Sequence, residues 1–148
     1  MQLFDRLLKF TSFRPRSEFE IKRWLARKKI DARGSEAALQ TLKKTGLIDD
    51  GAFAHWWVEQ RSEFRPKAGR ALVFELVKKG VDKNLAESVV GASEKNDEEL
   101  AVLVLEKRKK AFDRYDPETR RQKVVNLLAS RGFGWGVINK ILKNYVFG

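Results

Sequence analysis

Cysteine is absent from the 148-residue chain, histidine and methionine occur once each, and proline only three times. Without thiols there is no disulfide and no thiolate metal site, which is compatible with a reducing compartment. The lone imidazole, His55, has no second histidine at ligand spacing, which removes a histidine-pair metal centre and the usual nucleophile–base constellations. Nowhere do about 18 apolar residues run without a charge, the length a membrane helix needs. The start MQLFDRLLKF carries Asp5, Arg6 and Lys9 where a signal segment requires an apolar stretch. A cytoplasmic protein with no membrane partner is expected. No phosphate-cradling glycine loop occurs either: GFGWG, Gly132–Gly136, has the wrong spacing and reads as a helix stop and turn. The chain is expected to need no cofactor and to be no enzyme.

Positive charge is abundant. The formal net charge is +11 with a pI near 10.0, spread as +5 over residues 1–61, +2 over 62–112 and +4 over 113–148. Such a field favours an anionic partner, whether nucleic acid, acidic protein or membrane surface, and its sign cannot choose among them.

An internal repeat organises these charges. RPRSEFEIKRWLARKKI (Arg14–Ile30) aligns with RPKAGRALVFELVKKGV (Arg65–Val81) at an interval of 51, which carries Ile21 to Leu72 and Leu25 to Leu76. A weaker copy, PETRRQKVVNLLASRGF (Pro117–Phe133), follows at 52, and FAHWWVEQR (Phe53–Arg61) recurs at 47 as LAVLVLEKR (Leu100–Arg108). Each segment has helical signals. Ser17 and Glu20 form a capping box, Ser35 is expected to cap the next helix, Gly46 to end it, and Asp49 or Asp50 to cap the third. Asp82, Asn96 and Asp116–Pro117 mark later starts, with Gly80 and Gly132 as stops. The expected fold is all-α, tandem three-helix, helix-turn-helix-like repeats in an elongated curved array. The expected divisions are a leading helix in 1–13, repeats over 14–64 and 65–112, and a partial two-helix repeat over 113–148.

The adjacent carboxylates of LIDDGAFAHWWVEQR (Leu47–Arg61) raise the question of an acid/base site. Neighbouring residues at a helix start point apart, whereas a catalytic pair must converge, so one aspartate is expected to cap the helix and the other to sit at its positive end. Trp57 is assigned to the core, and Trp56 stays open between packing and base stacking.

Basic residues recur where the repeat recurs. The expected partner- or DNA-binding stripe is Arg14, Arg16, Lys28, Arg61, Arg65, Lys67, Lys78, Lys79, Arg108 and Arg131. Lysines at helix C-termini can instead merely complement the helix dipole, and the arginines at helix starts can find internal anions such as Glu59 or Asp50.

The blocks RPRSEFEIKRWLARKKI, LKKTGLIDDGAFAHWWVEQR and FRPKAGRALVFELVKKGVD, in this order and spacing, resemble the RecX family of regulatory proteins. The likeness is strongest over Arg14–Asp82 and more general after Arg108. Lys29 departs from it, standing where the repeat has glycine. The resemblance implies a non-enzymatic modulator of the RecA recombinase that binds the RecA–single-stranded-DNA nucleoprotein filament and inhibits its ATPase, strand-exchange and co-protease activities in the SOS response and in DNA repair and recombination; a monomer is expected. The alternative from a different class is a helix-turn-helix-like protein that binds single- or double-stranded DNA without a recombinase partner. A scaffold for another acidic protein is a third.

Overall fold

The computed structural model describes residues 2–144, which form ten helices and, among these residues, no strand. In chain order they are α1 (Gln2–Phe13), α2 (Glu18–Arg27), α3 (Ala32–Lys44), α4 (Asp50–Phe64), α5 (Gly69–Lys78), α6 (Lys83–Gly91), α7 (Asp97–Glu106), α8 (Lys109–Phe112), α9 (Pro117–Ser130) and α10 (Trp135–Asn144). The expected tandem three-helix, all-α organisation is what the chain adopts. The end of the expected third repeat, 145–148, lies outside the described residues.

Local signals set most helix boundaries. Ser17 caps α2 in a complete capping box with Glu20, Asn96 caps α7, and Asp116 caps α9 with Pro117 at its first position. One expectation fails: α3 is capped by Asp31, whose carboxylate accepts from the Gly34 amide at 2.7 Å, and Ser35 lies inside the helix. Both residue types favour this position, and Asp31 comes first in the chain, so the helix starts one turn earlier.

Four helices end alike. In α2, α5 and α9 the amide two residues past the cap returns to a carbonyl inside the last turn, Ile30 to Leu25, Val81 to Leu76 and Phe133 to Leu128, at 3.0–3.1 Å. In α3 the Leu47 amide returns to the Leu42 carbonyl at 2.9 Å past Gly46, at φ 75°. This closure needs a left-handed residue between. Gly80 and Gly132 supply it at φ 87° and 88°, and Lys29 takes the same region at φ 60°. A Cβ at Gly80 would lie 2.1 Å from the Phe19 Cβ, and one at Gly132 would lie 2.9 Å from the Ala71 Cβ. Lys29 is exposed, so its side chain has room that Gly80 and Gly132 lack.

The chain divides into two compact units that are not contiguous in sequence. Unit 1 comprises residues 1–57 and 75–89, and unit 2 comprises 58–74 and 90–148. In unit 1, Leu7, Ile21, Trp24, Leu25, Leu39, Leu42 and Ile48 from α1–α3 and the α3–α4 turn form one core. In unit 2, Leu100, Ala101 and Val104 of α7 pack with Val124, Leu128, Ile138 and Ile141 of α9 and α10. Burying an aliphatic side chain contributes roughly 1.5–3 kcal/mol, which makes these clusters the main stabilising term in each unit.

Candidate anion-binding surfaces

The two aspartates of the Leu47–Arg61 stretch divide their labour. Asp49 accepts from the Ala52 amide at 3.1 Å and so caps its own helix, α4. Asp50, the first residue of α4, accepts from the Glu18 amide at 2.9 Å and so completes the start of α2. The second repeat does the same: Asp97 at the start of α7 accepts from the Gly69 amide of α5 at 2.9 Å. His55 is exposed, and Trp57 is buried with its indole N–H donating to Glu75 at 3.2 Å. The stretch is thus a structural joint with no convergent acid/base pair.

Around each joint the repeat brings equivalent cations together, in two different electrostatic settings. In unit 1, the Arg14 guanidinium holds both oxygens of the Glu20 carboxylate, one bond being 3.2 Å, and lies 5.4 Å from the Trp56 ring centroid. Lys79 comes from the other side, 3.8 Å from Glu20 and 5.4 Å from the Trp57 ring. Its carbonyl accepts from the Ser17 hydroxyl at 2.7 Å. Burial raises the Glu20 pKa, but the Arg14 bonds, the Ser17 amide and the Arg14 and Lys79 charges outweigh it and hold the carboxyl below its ordinary value. The internal anion for Arg14 is therefore Glu20, and not Glu59 or Asp50.

Unit 2 repeats the backbone without the anion. The Arg131 carbonyl accepts from the Ala68 amide at 3.1 Å, and the Arg131 guanidinium donates to the Pro66 carbonyl at 3.3 Å. Lys107 donates to the carbonyls of Glu63 and Phe64 at 3.1 and 3.0 Å, which draws the end of α7 against the turn that carries Arg65. Arg65 and Arg108 are exposed. Burial, and after it the charges of Arg65 and Arg108, lower the pKa of Arg131. None of these three arginines has a carboxylate partner among the described residues.

The other stripe residues lie as follows. Arg16 is half-buried, donates to the Phe10 carbonyl at 3.1 Å and covers the Phe10 ring at 3.9 Å. Burial first and Arg14 second lower its pKa, partly offset by Glu20. Lys28 caps the end of α2 beside Trp24, 5.6 Å from the ring. Arg61 and Lys67 are half-buried. Lys78 is exposed at the end of α5 and joins a groove of about 360 Å³ lined by Phe10, Arg16, Phe19, Glu20, Arg23, Arg27, Lys78 and Lys79.

Sequence reasoning missed several members. Arg23 and Arg27 lie on the exposed flank of α2, where periodicity gives them only a solvent-facing role. Arg120 is 7% exposed and donates to the carbonyls of Phe112, Asp113 and Tyr115, a structural role among backbone acceptors that no local pattern announces.

Among the described residues no helix is long and apolar enough to cross a membrane. The models of the second and third three-helix domains of RecX match residues 49–90 and 96–142. They begin a unit at α4 and at α7, where the sequence repeat begins one at α2, α5 and α9: the tandem arrangement is shared, and the cut falls at a different helix. Regulatory protein RecX of Amycolatopsis mediterranei is 31% identical over 131 residues, covering 88% of this chain and 75% of the relative. That of Chlorobium limicola is 33% identical over 135 residues, covering 91% and 84%. The crystal structure of RecX from Lactobacillus salivarius superposes with a TM-score of 0.78 at 22% identity, over 95% of this chain and 92% of that one. A second crystal structure, of a regulatory protein RecX, gives 0.79 at 26% identity, over 97% and 72%. The cross-capped helical repeat and its matched relatives place the chain in the RecX family of regulatory proteins.

Proposed function

We propose that this protein binds the RecA–single-stranded-DNA filament and restrains its ATPase, strand-exchange and co-protease activities as a non-enzymatic, cytoplasmic monomer. The observation that carries the reading is the recurrence of cations at equivalent repeat positions, including an arginine cluster with no internal carboxylate, in a member of a regulatory family. Repeated modest contacts gain from multivalency when the partner is itself a repeating polymer.

The test is the DNA-dependent ATPase of RecA titrated with this protein. Inhibition well below one molecule per RecA protomer, weakened by Arg65→Glu or Arg108→Glu, is the expected result. These two exposed arginines are better probes than Arg14 or Lys79, whose reversal would also disrupt the Glu20 pair. An unchanged ATPase together with tight binding of naked DNA at physiological salt would instead favour the DNA-binding alternative.

A further inference from the structure

The two units answer the same question differently, and unit 1 supplies the template. Equivalence at 51 residues carries Arg14 to Arg65, Ser17 to Ala68 and Glu20 to Ala71, while Lys79 maps to Arg131 at 52. The interval of 47 carries Phe53, Trp56 and Trp57 to Leu100, Leu103 and Val104. Every group that neutralises or cushions the cations in unit 1, the carboxylate and the indoles, is thus replaced in unit 2 by an aliphatic side chain. The backbone frame is kept: the Lys79 carbonyl accepts from the Ser17 hydroxyl as the Arg131 carbonyl accepts from the Ala68 amide. The cations are kept too, and an arginine replaces the lysine.

We infer that Arg65, Arg108 and Arg131 form a phosphate-binding subsite for a nucleic-acid strand, left open because Ala71 stands where unit 1 carries Glu20. Arg131 donates to Pro66 and Lys107, the chain neighbour of Arg108, donates to Phe64, so both arginine-bearing segments are fastened to the two backbone neighbours of Arg65 and the three arginines are gathered about one turn. A guanidinium matches the two free oxygens of a phosphodiester in a fork, as Arg14 matches the two oxygens of Glu20. Three guanidinia call for more negative charge than one side-chain carboxylate brings, and a strand supplies neighbouring phosphates. The inference rests on the proposed function only for identifying the strand as the one inside the filament.

The experiment installs the missing carboxylate. Binding of a fluorescent oligothymidylate is followed by anisotropy over a range of salt for the wild type, Ala71→Glu and Ala71→Gln. Ala71→Glu is expected to weaken binding about tenfold and to reduce the dependence of log K on log salt by about 0.7, the signature of one lost phosphate contact on a single strand. Ala71→Gln, of the same size without the charge, should stay within about twofold. Arg65→Ala, at an exposed position where folding is not in question, should reduce the salt slope by about 0.7 as well. Equal losses in the Glu and Gln variants, or an unchanged slope in Arg65→Ala, would overturn the subsite. Absence of oligothymidylate binding by the wild type would overturn the phosphate, and if Ala71→Glu then weakened filament binding, a partner carboxylate would take its place. RecA ATPase assayed in parallel separates the two readings: a charge-specific loss of oligothymidylate binding with no ATPase effect in any protein leaves the subsite standing without the filament function.

Discussion

Unit 1 and unit 2 share one backbone arrangement, yet in unit 1 the converging cations grip Glu20 and lie beside Trp56 and Trp57, while in unit 2 the equivalent arginines have neither. The same scaffold therefore forms with and without the ion pair. What holds the repeat together is common to both units: apolar packing, a left-handed glycine, and an aspartate on one helix capping another. Where those suffice, the charges are free to vary, and in unit 2 the arginines have no carboxylate partner among the described residues.

The shared part should be the most sensitive to substitution. Gly80→Ala would force a Cβ into Phe19 and put a side chain at φ 87°; with about 1–2 kcal/mol for left-handed backbone and about 1–3 for overpacking, a loss of roughly 3–4 kcal/mol is expected in denaturant unfolding. Gly132→Ala meets a less severe approach and should lose less. Equal losses would mean that backbone strain, and not the close approach, sets the cost. The cross-caps come next. Asp97→Ala removes a side chain that completes the start of α5 and should cost about 1–2 kcal/mol. Asp50→Ala should cost less, since Ser17 still caps α2, and the reverse order would break the parallel between the joints.

Acid should distinguish the units. The Glu20 carboxyl, with its folded pKa depressed, contributes stability that is fully present above its ordinary value of 4.5 and is lost as pH falls through the lowered one. Glu18, lowered first by its bond to Lys43, acts in the same direction. Both lie in unit 1 with Trp24, Trp56 and Trp57, so tryptophan fluorescence in an acid titration should report loosening there. Glu20→Gln should shrink the pH-dependent part. The smallest effect expected is Lys29→Gly, a gain of about 0.5–1 kcal/mol in thermal or denaturant unfolding, as relief of left-handed strain is partly offset by the entropy of glycine in the unfolded chain.

Much of the fold was legible because its determinants are short-range. Ser17 with Glu20, Asp116 with Pro117, and Gly46, Gly80 and Gly132 each announce a helix end within a few residues. The assignment of Trp57 to the core followed from helical spacing in the same way. What escaped the sequence was long-range pairing. Nothing near Asp50 says that its acceptor oxygen serves Glu18, 32 residues earlier; for Arg14 the sequence offers Glu59 or Asp50 as internal anions, whereas the fold brings it Glu20, six residues on. The Asp31 cap was missed because Ser35, one turn later, carries the same type of signal. The residues expected to form a basic stripe are thus chemically unequal: Arg14 and Lys79 pair with Glu20, whereas Arg65 and Arg108 have no carboxylate partner among the described residues.

The aspartate that leaves its own helix to cap another has a consequence for the order of events in folding. α5 begins at Gly69 behind Ala68, which offers no side-chain oxygen, and its first amide is completed by Asp97, 28 residues further on. A ten-residue helix without its own cap is marginal in water. A peptide spanning 65–82 should therefore be largely unstructured, and the Gly69 amide should exchange with solvent only when α7 detaches. Protection at one end of α5 would then serve as a clock for the docking of α7, which follows it in the chain.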